Sequence, residues 1–353
     1  MSIEEEIKRL EEEIKNTPYN KATEHHVGKL KAKLARLREE AKKGKSGRGH
    51  GFFVKKSGDA SVAIIGPPSV GKSTLLNLLT NAKSRIGEYG FTTTEIIPGM
   101  MDYEGCKIQL LDLPGIIYGA SAGKGRGKEV IAMARVVDLI LIMVDVFTIG
   151  EIDYIKQELK DAGIRINRKK PDVIIKKKDR GGINIEFAKK CNLSEDVAKG
   201  IIMEYMSNAD VVIRDDITAD ELIDVILGNR AYLPAIVAVN KIDLKDIEAD
   251  VDMDVVYISA KSGYGVEELK KKIFEKLELV RIYLKPEGKK VEKKPMVLKK
   301  GATIRDVCLR LHRDFVRDFR YAVVSGPSAS FHGQRVGLNH EVMDGDVVTI
   351  ISR

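Results

Sequence analysis

Short apolar runs alternate with amphipathic stretches through the middle of the chain, a pattern typical of a mostly parallel sheet whose strands are connected by helices. Strands are expected at the apolar runs 61–65, 96–101, 107–111, 139–144, 235–239 and 255–258. Helices are expected to begin at Gly71, near Lys128 and at Val266. The turn at 102–105, between the second and third runs, predicts one antiparallel pair at an edge of the sheet. The predicted fold class is therefore α/β.

The N-terminal pattern is different. Apolar residues at heptad spacing lie on either side of a cluster of helix-breaking residues at 16–20. This spacing predicts a helical hairpin with two apolar seams, which suits ordinary helix packing as well as docking to a partner. The seam residues are Ile3, Ile7, Leu10, Ile14, Val27, Leu30, Leu34, Leu37 and Ala41. Residues 42–51 are rich in glycine, lysine and serine and are expected to form a linker.

Two further units are expected. About 90 residues separate the predicted strands 139–144 and 235–239, too many for one crossover connection, so residues 150–228 should form an inserted subdomain. A last unit should follow from residue 281 onward. Its expected elements are strands at 296–298, 321–324 and 347–351 and a helix at 303–313.

Composition narrows the class of protein. A chain of 353 residues, 43% hydrophobic and 32% charged, is ordinary for a globular protein of two or three domains. The dispersed cysteines Cys106, Cys191 and Cys308 argue against a disulfide framework or a cysteine zinc site and are typical of a reducing compartment. No apolar run approaches the roughly 18 residues needed to span a bilayer, and the acidic N-terminus is unlike a signal peptide. We therefore expect a cytoplasmic protein that acts without a membrane.

The net charge of +8 is unevenly distributed along the chain. Residues 161–190 and 281–353 are strongly basic, and residues 1–50 are moderately basic. Basic surfaces on folded modules suggest a polyanionic partner such as RNA, although such charge also simply keeps a surface solvated. The lysines of 285–300 stand among few aromatic residues, which favours contact with phosphates over stacking on bases.

Residues 66–73, with the sequence GPPSVGKS, match the phosphate-loop pattern G-x-x-x-x-G-K-[ST] between a predicted strand and a predicted helix. The backbone N–H groups of such a loop turn toward phosphate oxygens, and the helix N-terminus adds positive potential. Lys72 is expected to neutralise the β- and γ-phosphates. The Ser73 hydroxyl is expected to ligate Mg²⁺.

Two segments are expected to sense the γ-phosphate. Residues 112–115, DLPG, end the predicted strand 107–111, so that Asp112 can hold Mg²⁺ through water and the Gly115 N–H can reach the γ-phosphate. Residues 91–94, FTTT, lie between the first helix and the second strand. A threonine there can reach Mg²⁺ and the γ-phosphate only while that phosphate is present, which is how a loop becomes a switch.

Two segments are expected to recognise guanine. Residues 240–243, NKID, follow the predicted strand 235–239, and the Asp243 carboxylate would accept hydrogen bonds from the ring imino and exocyclic amino groups. Asn240 would lie near the opposite edge of the base and Lys241 along its plane. Residues 259–261, SAK, follow the next strand, and the Ala260 N–H could donate to the guanine carbonyl. Adenine lacks this donor pair, so the site predicts selectivity for guanine.

The five motifs, in this order, resemble those of translation-factor-class GTPases. Residues 115–120, GIIYGA, running into 123–128, GKGRGK, resemble the Obg superfamily more closely, and in particular the DRG (developmentally regulated GTP-binding) proteins. Residues 176–184 and 208–210 are similar to the insert of that family. The glycines of 119–127 do not have dinucleotide-fingerprint spacing, and a switch loop fits them better.

The resemblance implies four parts. They are an N-terminal helical module at 1–50, a P-loop GTPase domain at 51–149 and 229–280, an inserted ribosomal-protein-like α/β subdomain at 150–228, and a C-terminal β-grasp (TGS) domain at 281–353. It implies Ser73 and Thr93 as Mg²⁺ ligands. The residues expected to contact GTP are Gly66, Pro67, Pro68, Ser69, Val70, Gly71, Lys72, Ser73, Thr74, Phe91, Thr92, Thr93, Thr94, Glu95, Asp112, Leu113, Pro114, Gly115, Asn240, Lys241, Ile242, Asp243, Ser259, Ala260 and Lys261.

The group that orients the attacking water is not apparent. Many GTPases have a glutamine just after the D-x-x-G motif, and this position is Ile116 here. Backbone groups, a cation, or a basic residue among Lys124, Arg126 and Lys128 remain as alternatives. Ser69 stands where potassium-using relatives often have asparagine, so K⁺ remains an open cofactor.

Lys72, Thr93 and Gly115 are expected to stabilise the transition state, without any of them being identified as the catalytic group. We therefore expect slow intrinsic hydrolysis of GTP to GDP and phosphate, raised by a protein partner.

The expected function is a GTP-driven switch that acts as a monomer on ribosomes or other RNA in translation. The alternative is an RNA-binding scaffold whose nucleotide is structural and rarely hydrolysed. A small-molecule phosphotransferase would need an acceptor site and a base, and the sequence places neither. Association with RNA that differs between GTP and GDP would distinguish the switch from the scaffold.

Overall fold

The computed structural model describes residues 2–44, 57–80, 97–113, 127–245 and 247–352. The chain divides into two compact units. One unit combines Met1–Gly51 with Arg168–Tyr232, and the other combines Phe52–Asn167 with Leu233–Arg353. Among the residues so described, no helix is both long enough and apolar enough to cross a bilayer.

The helices, in chain order, are α1 (Ile3–Asn16), α2 (Glu24–Gly44), α3 (Lys72–Leu79), α4 (Gly127–Ala134), α5 (Glu151–Asp161), α6 (Glu195–Met203), α7 (Ala219–Leu227), α8 (Val266–Lys276), α9 (Ile304–Leu311) and α10 (Asp314–Arg317). The strands are β1 (Ala60–Ile65), β2 (Ile97–Tyr103), β3 (Cys106–Asp112), β4 (Leu139–Asp145), β5 (Ile164–Ile166), β6 (Val173–Lys177), β7 (Ile183–Phe187), β8 (Ala209–Ile213), β9 (Ala231–Leu233), β10 (Ala235–Asn240), β11 (Val255–Tyr257), β12 (Leu279–Leu284), β13 (Met296–Lys299), β14 (Phe319–Ser325), β15 (Gln334–Val336) and β16 (Val347–Ser352).

The nucleotide sheet is six-stranded, with the order β11-β10-β4-β1-β3-β2. All neighbouring strands are parallel except β2 and β3, which form an antiparallel hairpin at the edge. The strands β1, β4 and β10 are buried along their whole length, as expected when helices cover both faces. The predicted α/β fold with a mostly parallel sheet and one antiparallel edge pair is confirmed.

The C-terminal domain is a five-stranded mixed sheet with the order β13-β12-β16-β14-β15. The fully buried Ile304, Val307 and Cys308 of α9 pack against it. The predicted helix 303–313 is shorter in the structure, because α9 ends at Leu311 and the separate turn α10 follows. The sequence did not predict β12 and β15, and β12 connects β13 on one side to β16 on the other.

The C-terminal domain packs on the nucleotide sheet within the same unit. Leu279 and Val297 belong to the hydrophobic core of the nucleotide sheet. The Arg281 guanidinium pairs with Glu104, in the β2–β3 turn, and with Asp344. It also lies 5.2 Å from the ring centre of Phe274 on α8. The β2–β3 turn is therefore held by the first strand of the C-terminal domain.

In the other unit, α2 has two packing faces. One face packs on α1 through Leu10, Leu30, Leu34 and Leu37, as the heptad spacing predicts. The opposite face contacts the inserted segment. Ala32 is in the core of that segment, and a Cβ at Gly28 would lie 3.1 Å from Val197 Cγ1 on α6. The heptad pattern also places Ile3 in a seam, but this prediction is wrong, because Ile3 is 43% exposed in the first turn of α1.

The inserted segment folds as a three-stranded sheet, β6-β8-β7, with α6 and α7 packed on it. The compact part begins at Arg168 and not at the predicted residue 150, because α5 and β5 belong to the unit of the nucleotide sheet. Asn167 is the last residue before Arg168 that belongs to the unit of the nucleotide sheet. Its side chain donates to Ala235 O at 3.0 Å and accepts from Ala235 N at 2.8 Å, which fixes it to the start of β10.

Candidate nucleotide-binding site

The motif residues that the structure describes gather at the carboxyl ends of the parallel strands. The phosphate loop follows β1, Asp112 ends β3, and Asn240 ends β10 beside Asp145 of β4. In open α/β sheets, ligands bind in the crevice outside this edge. The position of the residues therefore matches that of a nucleotide site.

The phosphate loop lies close to its neighbours, which explains two of its glycines. A Cβ at Gly66 would lie 1.9 Å from the backbone oxygen of Met143 on β4. Gly71 has a φ of +98°, and a Cβ there would lie 2.6 Å from Asn240 Nδ2. Ser69, with a φ of 63°, is left-handed without being glycine. Such a conformation persists only where the surroundings hold it.

Lys72 begins α3 and reaches back over the phosphate loop. Its Nζ donates to Gly66 O at 2.9 Å and to Pro67 O at 2.7 Å. Burial lowers the pKa of the Lys72 ammonium below its ordinary value, and the charge of Asp112 offsets part of this effect. The negative charge near the buried Lys72 ammonium is therefore not enough to offset burial, and a bound phosphate would supply more.

Ser73 and Asp112 form the metal-binding candidate. Ser73 Oγ donates to Asp112 Oδ2 at 3.0 Å, and Asp112 is only 8% exposed. Its other oxygen, Oδ1, is buried and has no hydrogen-bond partner within the described ranges. A hydroxyl beside an unsatisfied carboxylate oxygen is a donor set of the kind that Mg²⁺ prefers. The residues present therefore fit a magnesium ion. Across the same ranges, no group of three or more His, Cys, Asp or Glu side chains could hold a metal by itself.

Asn240 connects the base-recognition segments to the phosphate loop. Its Nδ2 donates to Val70 O at 2.8 Å, and its Oδ1 accepts from Ala260 N at 2.9 Å. The side chain is buried, so both bonds are protected from water. We expected the Ala260 N–H to serve a guanine carbonyl. In the structure it is already engaged by Asn240, so contact with a base requires sharing or exchanging that bond.

Lys241 is held at two points. Its Nζ donates to Ser69 O at 2.9 Å and to Asp145 Oδ2 at 2.6 Å, and its backbone is left-handed with a φ of 63°. Asp145 also accepts from Phe147 N at 3.0 Å and from Thr148 Oγ1 at 2.9 Å. Burial tends to raise the pKa of the Asp145 carboxyl, but its hydrogen bonds with Lys241, Thr148 and Phe147 outweigh burial and lower it. The sequence reasoning did not single out Asp145.

Asp243 is exposed, as a group that reads a ligand edge must be. The Ser259 hydroxyl, which hydrogen-bonds to it, lowers the pKa of its carboxyl, with a smaller contribution from the charge of Lys261. Ser259 itself is buried. The NKID and SAK segments are thus brought together as the pattern predicts, and Asp243 is ionised at neutral pH.

The remaining predicted residues are less informative. Pro68 and Thr74 are exposed. Leu113 is buried and its N–H donates to Ile64 O at 3.1 Å, while the Ile242 N–H donates to Ile258 O at 3.4 Å. Several predicted GTP contacts lie outside the described residues: Phe91, Thr92, Thr93, Thr94, Glu95, Pro114 and Gly115. Ile116 and two of the candidate water-orienting residues, Lys124 and Arg126, lie outside them as well.

Comparison with known families agrees with this geometry. Residues 61–178 match the family described as 50S ribosome-binding GTPase, residues 180–279 match the C-terminal region of the same domain, and residues 280–352 match the TGS domain. Fold and site together define the chain as a member of the P-loop GTPase class with a C-terminal TGS domain.

Full-length relatives narrow the class to a family. An uncharacterized GTP-binding protein of Methanocaldococcus jannaschii is 54% identical over 99% of this chain and 93% of its own length. Developmentally-regulated G-protein 3 of Arabidopsis thaliana is 47% identical over 100% of this chain and 99% of its own. Developmentally-regulated GTP-binding protein 1 of Xenopus laevis is 45% identical over 98% of both chains. The chain belongs to the family of developmentally regulated GTP-binding proteins, as the sequence motifs predicted.

Proposed function

We propose that this protein binds GTP with Mg²⁺, hydrolyses it to GDP and phosphate, and uses the two nucleotide states as a switch. One observation carries the proposal. Asn240 and Lys241 bond directly to the backbone of the phosphate loop, at Val70 and Ser69. A loop with phosphate-binding chemistry and a loop with guanine-reading chemistry therefore form one hydrogen-bonded pocket.

Each described residue has a distinct part in this proposal. Lys72 exchanges its two loop carbonyls for the β- and γ-phosphates. Ser73 would ligate the magnesium ion and Asp112 would hold it through water, and the ion would supply positive charge against the phosphates. Asp243 reads the guanine edge. Thr93 and Gly115 complete the phosphate end by family resemblance.

Hydrolysis is proposed to be slow until a partner binds. Ile116 has no hydrogen-bonding side chain, so it cannot orient water as a glutamine does. The missing group would come from the backbone, from K⁺ or from a partner protein. Turnover of several GTP per second by the purified protein alone, in K⁺ or in Na⁺, would contradict this part of the proposal.

The target is proposed to be a ribosome or another RNA, reached by a cytoplasmic monomer. Three observations support this proposal. The matched GTPase family is described as 50S ribosome-binding. Exposed lysines crowd the segment between β12 and β13 and the end of β13, namely Lys285, Lys289, Lys290, Lys293, Lys294, Lys299 and Lys300. Exposed Lys176 and Lys177 on β6, in the other unit, add a second basic surface.

Nucleotide selectivity tests the first half of the proposal. Calorimetry with GTP, GDP and ATP in Mg²⁺ should show tight binding of both guanine nucleotides and weak or no binding of ATP. Equal affinity for ATP and GTP would contradict the guanine site. Phosphate release under the same conditions should show slow conversion of GTP to GDP.

Co-sedimentation with ribosomes, in GDP and in a non-hydrolysable GTP analogue, tests the second half. The switch predicts binding that differs between the two nucleotides and weakens with salt. Equal binding in both would favour the scaffold with a structural nucleotide. Replacing Lys289, Lys290, Lys293 and Lys294 by Glu should weaken the association and leave GTP affinity unchanged. Replacing the same four by Arg keeps the charge and serves as the matched control.

A further inference from the structure

Asp145 lies outside all five nucleotide motifs, yet it is bonded to the centre of the site. It ends β4 directly beside Asn240 in the sheet register, and the Val146 N–H donates to Asn240 O at 3.2 Å. Only 4% of the residue is exposed. A buried carboxylate at this edge of the sheet requires a partner, because an unpaired buried charge is strongly unfavourable.

The two oxygens of this carboxylate have separate partners. Oδ1 accepts from Phe147 N and Thr148 Oγ1 and so shapes the turn that follows β4. Oδ2 accepts from the Lys241 ammonium at 2.6 Å. The turn and the ion pair can therefore be separated experimentally, because a neutral amide can keep the first set of bonds and cannot keep the second.

The ammonium of Lys241 hydrogen-bonds to Ser69, and both residues have unusual backbone conformations. Among the residues the structure describes, five that are not glycine have a positive φ, and Ser69 and Lys241 are two of them. They belong to different segments, and one Nζ–O bond of 2.9 Å connects them. Backbone strain of this kind is retained where surrounding contacts over-determine it. The second bond of the same ammonium goes to Asp145.

We propose that Asp145 is a positioning residue for the nucleotide pocket: its carboxylate fixes the Lys241 ammonium against the Ser69 carbonyl and thereby couples the base-reading loop to the phosphate loop. This inference rests on the proposed binding of guanine nucleotides. Without Asp145, the Lys241 side chain, already 32% exposed, would turn to water and release Ser69. Asp145 does not touch the guanine edge, so it should set affinity and not base choice.

The test is calorimetry of GDP and IDP with Asp145→Asn. Inosine lacks the exocyclic amino group that Asp243 is proposed to read. Asp145→Asn should weaken both nucleotides by about the same factor, roughly 10-fold, as expected for loss of a charged hydrogen bond. Thr148→Val removes a bond to Asp145 Oδ1 but leaves the bond between Asp145 Oδ2 and Lys241, so it should change either affinity by less than 2-fold. A Thr148→Val loss equal to that of Asp145→Asn would assign the effect to the turn and overturn the proposal.

A double-mutant cycle shows whether Asp145 acts through Lys241. Lys241→Met keeps the apolar stem and removes the ammonium, so it should lose about as much GDP affinity as Asp145→Asn. Adding Asp145→Asn to Lys241→Met should cause no further loss. A further 10-fold loss in that background, or unchanged affinity of Asp145→Asn alone, would overturn the proposal.

The outcomes also separate this inference from the proposed function. If the unaltered protein binds neither GDP nor GTP, the proposed function fails and the inference fails with it. If the unaltered protein binds both and Asp145→Asn binds them equally well, only the inference fails. If Asp145→Asn does not fold, Lys241→Met alone remains decisive. Unchanged GDP affinity in that variant would show that the Lys241–Ser69 bond does not contribute to binding, and would overturn the proposal.

Discussion

The base end and the phosphate end of the pocket are built differently. At the base end, buried Asn240 and the Lys241–Asp145 pair are bonded to other segments of the chain, so the loops are fixed before a ligand arrives. At the phosphate end, Lys72 bonds to carbonyls of its own loop, and Ser73 bonds to Asp112. These bonds occupy the same atoms that phosphate and magnesium require. At the base end the Ala260 N–H must likewise be shared or exchanged, but the Asn240–Val70, Lys241–Ser69 and Lys241–Asp145 bonds can persist when a base binds.

The difference indicates a division of labour. A preformed base end loses little conformational entropy on binding and can hold a guanine nucleotide whatever its phosphate number. The phosphate end must exchange local partners for the ligand, so its arrangement can differ between GTP and GDP. Selectivity for the base and sensitivity to the γ-phosphate therefore reside in different residues, and substitutions should affect them separately.

The largest expected effect is at the base end. Asp243→Asn should lower GTP affinity by roughly 10³-fold or more, because the amide presents a donor to the donor edge of guanine. Xanthosine triphosphate, which has a carbonyl in place of the amino group, should gain affinity. Calorimetry with both nucleotides checks this, and Asp250→Asn, an exposed carboxylate in the following segment, is the control. If magnesium dependence changed along with base choice, the two ends would not be separable.

A substitution at the junction should damage both ends. Gly71→Ala forces a left-handed alanine and places its Cβ 2.6 Å from Asn240 Nδ2, so Asn240 must give up its bond to Val70. We expect GTP affinity to fall by about 100-fold, because one buried hydrogen bond is lost and the alanine is strained in a left-handed conformation. Gly301→Ala is the matched control, because Gly301 has a φ of +84° and open space around it. Equal GTP affinity of the two variants would contradict the proposed coupling of the phosphate loop to Asn240.

Substitution of Ser73, the candidate magnesium ligand, should affect only the phosphate end of the pocket. Ser73→Ala should reduce GTP affinity in Mg²⁺ by about 10-fold and leave affinity in EDTA unchanged, because the hydroxyl contributes through the metal. Thr80→Ala removes a hydroxyl at the far end of the same helix, where it donates to Leu76 O, and should change neither value. An equal loss with and without Mg²⁺ would mean that Ser73 contacts the nucleotide and not the ion.

The smallest expected effect is the uptake of a fraction of a proton when GTP binds. Because burial lowers the pKa of Lys72, part of this group is neutral at alkaline pH in the free protein, and a bound triphosphate favours the ammonium. Binding of GTP at pH 9 should therefore take up a fraction of one proton, and the uptake should diminish toward pH 7. Calorimetry in buffers of different ionisation enthalpy measures it. Lys72→Arg, charged at every pH used, should abolish the uptake, and persistence in that variant would assign the proton elsewhere.

The nucleotide sheet was largely predictable because buried parallel strands are unbroken apolar runs. The strands β1, β4 and β10 have this form, and chemistry-bearing residues stand where these strands end. The strand β12 was not predictable. It begins at Leu279, directly after α8, with no glycine or proline between them, and its partner β16 comes from the far end of the chain.

Contacts between distant segments explain the other differences. Gly28, Ala32 and Ala35 recur on one face of α2 at helical spacing, and small residues permit the close approach to α6 that the structure shows. This signal was present in the sequence, but heptad leucines on the other face dominate the pattern. Asp145 gave no comparable signal, because its role depends on Lys241 and Ser69, which meet it only in the folded sheet.

The ion pair between Arg281 and Glu104 at the β2–β3 turn indicates that the C-terminal domain supports the nucleotide domain. In sequence, this hairpin joins the threonine segment at 91–94 to the DLPG segment at 112–115, and Arg281 grips its tip through Glu104. Leu279 and Val297 meanwhile complete the apolar interior beneath it. A chain truncated before residue 279 would thus lose a structural support of the nucleotide domain itself, and not merely an appended recognition unit.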